Sequence, residues 1–400
     1  MFSLEYNYQR GDCMITKIKN GKLILNHGIE ENKNLYFKDN VICEISEADL
    51  PFDKEIDACG KYVSPGFIDI HTHGGGGYDF MDGGTTPILE AAKLHLSYGT
   101  TTILPTSLAC SHESLLAFLE DLNTIIKNNL SESRILGAHL EGPYFSLAQS
   151  GAQNPQFITP PIKKDYEEII EKYNDIVLRW SFAPELEGAE EFCTKLIKSN
   201  INPSIAHSDA QLKHVKKVYD LGCSTFTHLY SGMSSIVREM GYRKLGVIES
   251  AYLLDNTTVE VIADGYHLPP ELLMLIVKNI GPEHICLVTD SMRGAGMPNG
   301  KSQLGKIGEG LECIIEDGVA KLLDKSAFAG SVATSDRLVR TMVKEAGCSI
   351  FDAVKMITQN PAKLLNRTDI GVLEKGAFAD IVIFDDDIKI GTVIANGNII

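Results

Sequence analysis

Residues 65–73 read Pro65-Gly66-Phe67-Ile68-Asp69-Ile70-His71-Thr72-His73. This stretch is a short apolar segment that ends in two histidines, two residues apart. Residues two apart in a β-strand point to the same side, so His71 and His73 can direct two imidazoles at one metal ion. A His-x-His sequence also arises by chance. The stretch therefore predicts a metal site only if the remaining segments build a suitable fold around it.

Seven further apolar segments follow the first, and the intervals between them are long enough for helices. Together the eight cover residues 66–70, 101–105, 135–140, 177–183, 203–206, 224–227, 258–263 and 285–289. Residues 113–127, in one of the intervals, carry an apolar stripe at helical spacing. Alternating strands and helices are typical of parallel βα units, and eight such units predict an α/β protein with a (β/α)8 TIM-like barrel.

The two ends of the chain have a different pattern. Residues 14–61 consist of short apolar runs broken by turn signals such as Asn20-Gly21, and similar runs return at 379–384 and 391–397. We expect one small β-sandwich domain formed by residues 1–63 and 369–400. The barrel, residues 64–368, is then inserted between them, and the first 13 residues can be an extension without a structural role.

Composition restricts the class of function. A formal net charge of −16 without a basic run disfavours nucleic acid and anionic membranes as partners. Met1–Arg10 lacks the features of a signal peptide and no apolar run is long enough to cross a bilayer, which predicts a cytoplasmic protein. Nine cysteines occur without a Cys-x-x-Cys pair, so neither a disulfide framework nor a thiolate zinc site is indicated.

Four more potential ligands lie where other predicted strands end: Glu141, His207, His228 and Asp290. Barrel enzymes build their active sites on this face. A lone histidine at such a position is more often structural, but the joint placement favours a metal site. Imidazole and carboxylate ligands suit zinc or ferrous iron, and the His71/His73 pair leaves room for a second ion.

This ligand set favours metal-assisted hydrolysis. A divalent metal lowers the pKa of a water molecule toward neutrality, which supplies a nucleophile at physiological pH. An amide also needs its leaving nitrogen protonated, and we assign Asp290 both tasks, taking the proton from water and passing it to the amine. The alternative for Asp290 is a helix N-cap after the strand.

Seven short elements, taken together, identify a family. They are PGFIDIHTHG at 65–74, HLEGPY at 139–144, THLY at 227–230, DGYH at 264–267, TDSM at 289–292, GS at 330–331 and NPA at 360–362. Across nearly the whole chain the sequence resembles N-acetylglucosamine-6-phosphate deacetylases of the amidohydrolase superfamily. The first element indicates only the superfamily, whereas Glu-Gly-Pro and Asp-Gly-x-His indicate the deacetylase branch.

The resemblance implies a role for each strand-end residue. Asp290 becomes the acid/base and an additional metal ligand. Some relatives lack the histidine pair and work with one metal, so one or two divalent ions are expected here. The principal metal is bound by Glu141, His207 and His228, and a second metal by His71 and His73.

The resemblance also implies the groups that bind the sugar phosphate. They are His267 and an arginine that follows the His-Leu-Tyr element and reaches across the interface of a homodimer. Arg238 is the nearest match in position, with Arg243 as substitute. Arginine suits phosphate through its planar fork of donors.

Three departures from the family pattern concern the substrate. Gln153 stands where relatives commonly have a histidine that contacts the acetyl carbonyl, and an amide can donate to that oxygen but cannot become cationic. Ser231 and Gly232 replace a common Asn-Ala pair beside the phosphate, which predicts an enlarged or reshaped pocket. The spacing to the arginine is also shifted by about one residue.

The leading hypothesis is hydrolysis of the N-acetyl amide of N-acetylglucosamine 6-phosphate to acetate and the free amine, in amino-sugar catabolism. One alternative keeps the chemistry but changes the sugar or the acyl group, as in N-acetylgalactosamine 6-phosphate. Another hydrolase of the superfamily is disfavoured by residues 264–267 and by the lack of a strand-end lysine. A barrel retained only for binding is disfavoured because no ligand is lost.

Overall fold

The computed structural model describes residues 14–400. Both the proposed extension of 13 residues and the N-terminal stretch examined for a signal peptide lie outside these residues. No helix among residues 14–400 combines the length and the apolar character that crossing a bilayer requires.

Eight parallel strands form the predicted barrel. We number them β1–β8: Phe67–Thr72, Thr100–Pro105, Ala138–Glu141, Val177–Phe182, Asn202–Ile205, Thr225–Phe226, Thr258–Val261 and Ile285–Leu287. β3 through β8 pair in sequence order, and β1 pairs with β2. A bridge between Thr106 and His139 joins β2 to β3, and the Asp290 amide donates to the His71 carbonyl at 2.9 Å. The first link joins the two parts of the sheet, and the second closes the barrel between β8 and β1.

The third predicted strand is interrupted. Arg134–Ile135 pairs with β2 as a separate short strand, and β3 begins only at Ala138. Gly137 lies between the two, and a Cβ at this position would be 2.2 Å from the Ile176 carbonyl oxygen. The close approach of two backbones therefore breaks a segment that its apolar character predicted to be continuous.

Within residues 14–400, ten helices connect and cover the strands. We number them α1–α10: Thr85–Ser97, His112–Asn128, Lys163–Tyr173, Ala189–Lys198, Leu212–Leu221, Val247–Leu253, Pro270–Ile280, Ser335–Lys344, Ile350–Ile357 and Gln359–Leu364. α2 matches the predicted stripe and buries Leu115, Leu119 and Leu122 against the barrel. Its N-cap, Ser111, accepts a hydrogen bond from the Ser114 amide at 3.1 Å. Short 3-10 helices span Leu147–Gln149, Pro155–Phe157 and Pro282–His284.

Outside the barrel, residues 14–400 form two further sheets, one of N-terminal strands alone and one that combines strands from both ends of the chain. One consists of Ile15–Lys19, Asn34–Lys38, Val41–Ser46 and Lys54–Asp57. The other consists of Lys22–Leu25, Gly28–Glu30, Tyr62–Pro65, Ile381–Phe384, Ile390–Ala395 and Asn398–Ile399. Ile18 and Phe37 of the first sheet share one core with Leu23 and Ile381 of the second, as a sandwich requires. The domain boundaries at 63/64 and 368/369 stay a prediction.

Three insertions lie among the loops that follow the barrel strands. Gly74–Gly75 pairs with Tyr78–Asp79 after β1, and Val237–Glu239 pairs with Tyr242–Lys244 after β6. A three-stranded antiparallel sheet of Gly300–Leu304, Leu311–Glu316 and Val319–Leu322 follows β8. We call residues 237–244 the hairpin. The sequence predicted neither the hairpin nor the three-stranded sheet.

Candidate active site

The predicted ligands lie at one end of the barrel because each directly follows, or ends, a parallel strand. His71 lies in β1 and Glu141 is the last residue of β3. His207, His228 and Asp290 follow β5, β6 and β8, and their φ angles are +43°, +31° and +47°. Left-handed backbone at a residue other than glycine costs about 1–3 kcal/mol, and such strain is concentrated at functional sites.

Four imidazoles converge on one carboxylate. The Nε2 atoms of His228 and His207 lie 2.9 Å and 3.2 Å from Glu141 Oε1. His71 Nε2 lies 3.6 Å from the same oxygen, and His73 Nε2 lies 3.4 Å from Glu141 Oε2. All five side chains are almost completely buried. The sequence-predicted ligands are thus brought together within one small volume.

Asp290 completes the cluster on the side of the histidine pair. Its Oδ1 lies 3.1 Å from His73 Nε2 and 3.5 Å from His71 Nε2. Two overlapping groups offer ligand atoms that all lie within 4.8 Å of one another: His71, His73 and Asp290, and His71, Glu141 and His228. Nitrogen and oxygen donors at this spacing fit one or two divalent metal ions. The helix N-cap alternative for Asp290 is wrong, because the next helix, α8, begins only at Ser335.

The outer ring nitrogens show why the Nε2 atoms face inward. His73 Nδ1 lies 3.2 Å from the Thr106 carbonyl oxygen, and His207 Nδ1 lies 2.9 Å from the Gln149 carbonyl oxygen. A carbonyl can only accept, so each Nδ1 carries a proton, and Nε2 is the nitrogen that a metal at the centre would meet once its own proton is displaced. His228 Nδ1 has no hydrogen-bond partner within residues 14–400.

The carboxylates and imidazoles shift one another's pKa. Burial alone would raise the pKa of Glu141, but the surrounding imidazoles, His71 first, hold it well below its usual range. Burial likewise opposes the ionised form of Asp290, yet its hydrogen bond to His73 and the nearby imidazoles lower its pKa to about 2. Burial would lower the pKa of His228, but Glu141 raises it to about 9. Because the ionised carboxylates favour positive charge here, a metal cation can replace the protons on the imidazoles.

A cavity of about 220 Å³ opens beside this cluster. One wall is polar and contains His73, Glu141 and Asp290. Its remaining lining residues are Leu108, Gly151, Ala152, Gln153, His207, His228, Ser231, Gly232, His267, Leu304, Ala327, Phe328 and Gly330. Four predicted substrate residues therefore line one cavity with five of the six predicted ligands, and the sixth, His71, is buried behind them. Neither Arg238 nor Arg243 is among them.

Gln153 is held in one orientation between two partners. Its Oε1 accepts a hydrogen bond from the Ala109 amide at 2.8 Å, and its Nε2 donates to Glu141 Oε2 at 2.5 Å. Because the amide of Ala109 can only donate, the oxygen of Gln153 must face it. Nε2 therefore faces the cluster, and its second N–H is available to a ligand in the cavity.

Gly232 lies against a predicted metal ligand. A Cβ at this position would be 2.6 Å from His207 Nδ1 and 3.0 Å from the Gln149 carbonyl oxygen, and the φ angle is +58°. The absence of a side chain therefore lets the loop pack on the His207 ring. Whether Ser231 and Gly232 also reshape the pocket for a different substrate stays a prediction.

The Asp-Gly-x-His element is a compact turn that presents His267. Asp264 Oδ1 accepts hydrogen bonds from the amides of Tyr266 and His267 at 2.9 Å and 2.8 Å. Its Oδ2 lies 2.8 Å from His267 Nδ1, which leaves Nε2 of that ring for a ligand. Gly265 adopts a φ of +81°, which a glycine accepts without steric cost.

The two candidate arginines lie on the exposed hairpin. Arg238 and Arg243 are directly opposite each other in its register, and Met240 at its tip is 90% exposed. Like charges placed opposite each other on two strands are destabilising. Within residues 14–400, neither arginine forms an ion pair with a carboxylate that would offset this repulsion.

The sequence did not predict several residues of the site. Phe328 lines the cavity, and its ring centroid lies 4.8 Å from that of His267. Glu260 and Arg179 lie inside the barrel below His71. A charged residue inside an otherwise apolar strand was the available signal for both, because a buried charge is rarely unpaired.

Comparisons with known proteins place this chain in a family. The model of the amidohydrolase family matches residues 62–400. The chain is 31% identical over 391 residues, 96% of this chain and 97% of the relative, to the N-acetylglucosamine-6-phosphate deacetylase of Lysinibacillus sphaericus. It is 29% identical to the N-acetylgalactosamine-6-phosphate deacetylase of Shewanella sp. (strain ANA-3), covering 96% of this chain and 95% of the relative.

A solved structure extends the comparison to the fold. The N-acetyl-D-glucosamine-6-phosphate deacetylase of Mycobacterium smegmatis, as a mutant in complex with N-acetyl-D-glucosamine-6-phosphate, matches with a TM-score of 0.88 at 27% identity. The match covers 97% of this chain and 99% of that one. The chain belongs to the amidohydrolase family. Its predicted resemblance to the N-acetylglucosamine-6-phosphate deacetylases is confirmed by the Lysinibacillus and Mycobacterium proteins.

Proposed function

We propose that this enzyme hydrolyses the N-acetyl amide of N-acetylglucosamine 6-phosphate to acetate and the free amine, in amino-sugar catabolism in the cytoplasm. The observation that carries the proposal is the convergence of four imidazoles and two carboxylates beside a cavity that is also lined by Gln153 and His267. Relatives that match nearly the full length of the chain are named for this activity.

We assign the metal ligands as the family resemblance implies, and the close approach of the buried imidazoles and carboxylates supports the assignment. Glu141, His207 and His228 hold the principal ion, and His71 and His73, with Asp290 beside them, provide for a second. Zinc or iron suits this donor set. A bound divalent cation supplies Lewis acidity, which polarises the acyl carbonyl and makes water a better nucleophile at neutral pH.

Asp290 is the group that moves the proton. Its low pKa keeps it ionised at neutral pH, so Oδ1 or Oδ2 can accept a proton from the attacking water. The same carboxyl then returns the proton to the amine nitrogen as the amide C–N bond breaks. The side chain is 12% exposed, which lets it reach a substrate in the cavity.

Gln153 contributes to orienting the acyl group. Its oxygen is committed to the Ala109 amide, so the free N–H on Nε2 can donate to the acetyl carbonyl. An amide donor stabilises the developing oxyanion less than a cationic imidazole would. Gln153 is suited to that role because it lines the cavity and contacts Glu141 in the cluster.

The phosphate needs a positive group that the cavity of one chain does not provide. No arginine or lysine of residues 14–400 is among its lining residues, while the exposed hairpin carries two arginines with no anionic partner. We therefore propose a homodimer in which Arg238, or Arg243 in its place, meets the phosphate in the neighbouring subunit's site. His267 contacts the same phosphate from within the chain.

The galactosamine epimer is the second candidate substrate. The Shewanella relative named for it is 29% identical to this chain, nearly as similar as the Lysinibacillus relative at 31%. Ser231 and Gly232, which border the proposed phosphate site, are the residues in this chain that motivate this alternative.

A substrate panel tests the proposal. The metal-reconstituted protein is assayed for acetate release from N-acetylglucosamine 6-phosphate, N-acetylgalactosamine 6-phosphate and both unphosphorylated sugars. We expect the highest kcat/KM with the glucosamine phosphate. A higher value with the galactosamine phosphate reassigns the substrate, and no turnover of any of the four sugars by metal-loaded protein contradicts the proposed function.

A further inference from the structure

A buried ion pair lies beneath the histidine pair, inside the barrel. Arg179 is in β4 and Glu260 is in β7, and neither side chain has any exposed surface. The guanidinium Nη2 of Arg179 pairs with Oε1 of Glu260. The other carboxylate oxygen, Oε2, lies 3.0 Å from His71 Nδ1. One buried carboxylate thus joins a charged partner to a predicted metal ligand.

Arg179 also contacts the backbone beside that ligand. Its Nη1 donates to the carbonyl oxygen of Ile70 at 3.0 Å, one residue before His71. The ion pair therefore holds both the ring of His71, through Glu260, and the strand that carries it. It does so from two strands, β4 and β7, that do not neighbour β1 in the sheet.

The hydrogen-bond partner of His71 Nδ1 differs in kind from the partners of Nδ1 in His73 and His207. His73 and His207 are oriented by backbone carbonyls, which no side-chain substitution removes. His71 is oriented by a carboxylate, and this carboxylate is oriented in turn by Arg179. A charged partner on the outer nitrogen of a ligating histidine fixes the ring and raises its basicity toward the metal.

We infer that Glu260, held by Arg179, is a positioning residue that makes His71 a metal ligand through Nε2, and so decides whether the second metal binds. The inference rests on the metal site of the proposed function, but not on the identity of the substrate. Loss of such an outer partner lowers metal affinity by about 10- to 100-fold in other proteins.

A double-mutant cycle on zinc binding tests the inference. Zinc stoichiometry and affinity are measured by chelator competition for the wild type, Glu260→Gln, His71→Asn and the double variant. We expect Glu260→Gln to weaken the second zinc about 10- to 100-fold and to leave the first within about twofold. In the His71→Asn background the same change should have no further effect. An equal loss with and without His71, or no loss in either background, overturns the inference.

Two controls separate positioning from folding. Asp82→Asn breaks another buried ion pair, with Arg293, that does not contact an imidazole of the cluster, so zinc binding should remain that of the wild type. If Glu260→Gln does not fold because Arg179 loses its partner, the pair is removed together as Arg179→Met/Glu260→Gln. That variant should show the same weakened second site, and full zinc binding by it overturns the inference.

The protonated ring nitrogen of His71 can also be identified by NMR in the wild-type protein. A long-range ¹H–¹⁵N spectrum of the zinc-loaded protein, labelled at histidine, should show His71 protonated at Nδ1 and bare at Nε2. A proton on Nε2 overturns the inference. None of these zinc and NMR measurements uses a sugar. If the double-mutant cycle gives the expected zinc affinities but the protein hydrolyses no amino-sugar phosphate, the proposed function is contradicted and this inference is not.

Discussion

The buried cluster at the strand ends and the exposed hairpin are opposite kinds of structure. In the cluster, six ionisable side chains surround one another, and each carboxylate is matched by imidazoles. In the hairpin, Arg238 and Arg243 face each other, and neither forms an ion pair with a carboxylate of residues 14–400. The cluster is assembled within one chain, whereas the proposed role of the hairpin requires a second subunit. Under this proposal, the chemistry depends on the fold of one chain and the recognition of phosphate depends on the assembly of two.

The largest expected effect is on the cluster. Asp290→Asn removes the proton carrier and keeps the size of the side chain, so kcat should fall by about 10²- to 10⁴-fold. Acetate release gives the rate, and the zinc content of the same sample shows whether the metal is still bound. Activity close to that of the wild type, with metal present, would assign the proton transfer to another group.

Metal binding should weaken steadily as the pH falls. The pKa of His228 in the metal-free protein is raised to about 9, and an imidazolium cannot ligate a metal. Below about pH 9 a metal must therefore displace this proton, and the apparent affinity should drop about tenfold per pH unit for each proton displaced. Calorimetry in two buffers of different ionisation enthalpy measures the release. Zinc binding at pH 7 without any proton release would contradict the expected protonation.

The hairpin is tested by a variant that spares the cluster. Arg238→Ala should raise KM for the phosphorylated sugar by about 10- to 100-fold, because it removes charged hydrogen bonds to phosphate. The unphosphorylated sugar should be turned over as before, and Arg243→Ala is the matched control on the facing strand. If Arg243→Ala raises KM and Arg238→Ala does not, Arg243 is the residue that meets the phosphate. If KM is unchanged in both variants, the hairpin does not contribute to phosphate binding.

The smallest effect is expected at Gly232. Replacing it with alanine puts a Cβ 2.6 Å from His207 Nδ1, so the ring must shift and zinc affinity should fall about tenfold. Gly241→Ala in the hairpin is a matched control, since its φ is +87° and no atom lies within 4 Å of the added Cβ. If both variants bind zinc equally well, the loop does not constrain His207.

Much of this arrangement could be predicted from the sequence, because parallel strands buried on both faces are continuous apolar segments. All eight barrel strands were found in this way, and their ends brought the ligands to one face. The interruption at Gly137 was missed, because it depends on a backbone approach from Ile176 that no local pattern records.

The partners of the buried charges could not be predicted. Glu260 and Arg179 are 81 residues apart, and only the closed barrel shows that they meet below His71. The same limit applies to Gln153, whose orientation depends on the Ala109 amide. The roles of Arg238 and Arg243 stay predictions, because they depend on a second subunit.

The central claim is that the strand-end cluster binds a metal with which this chain hydrolyses an amide. The most direct measurement is acetate release from N-acetylglucosamine 6-phosphate by protein stripped with a chelator and then titrated with zinc. We predict no activity in the stripped protein, and recovery that saturates at one or two equivalents of zinc per subunit. Full activity in protein shown to contain no metal would contradict the claim.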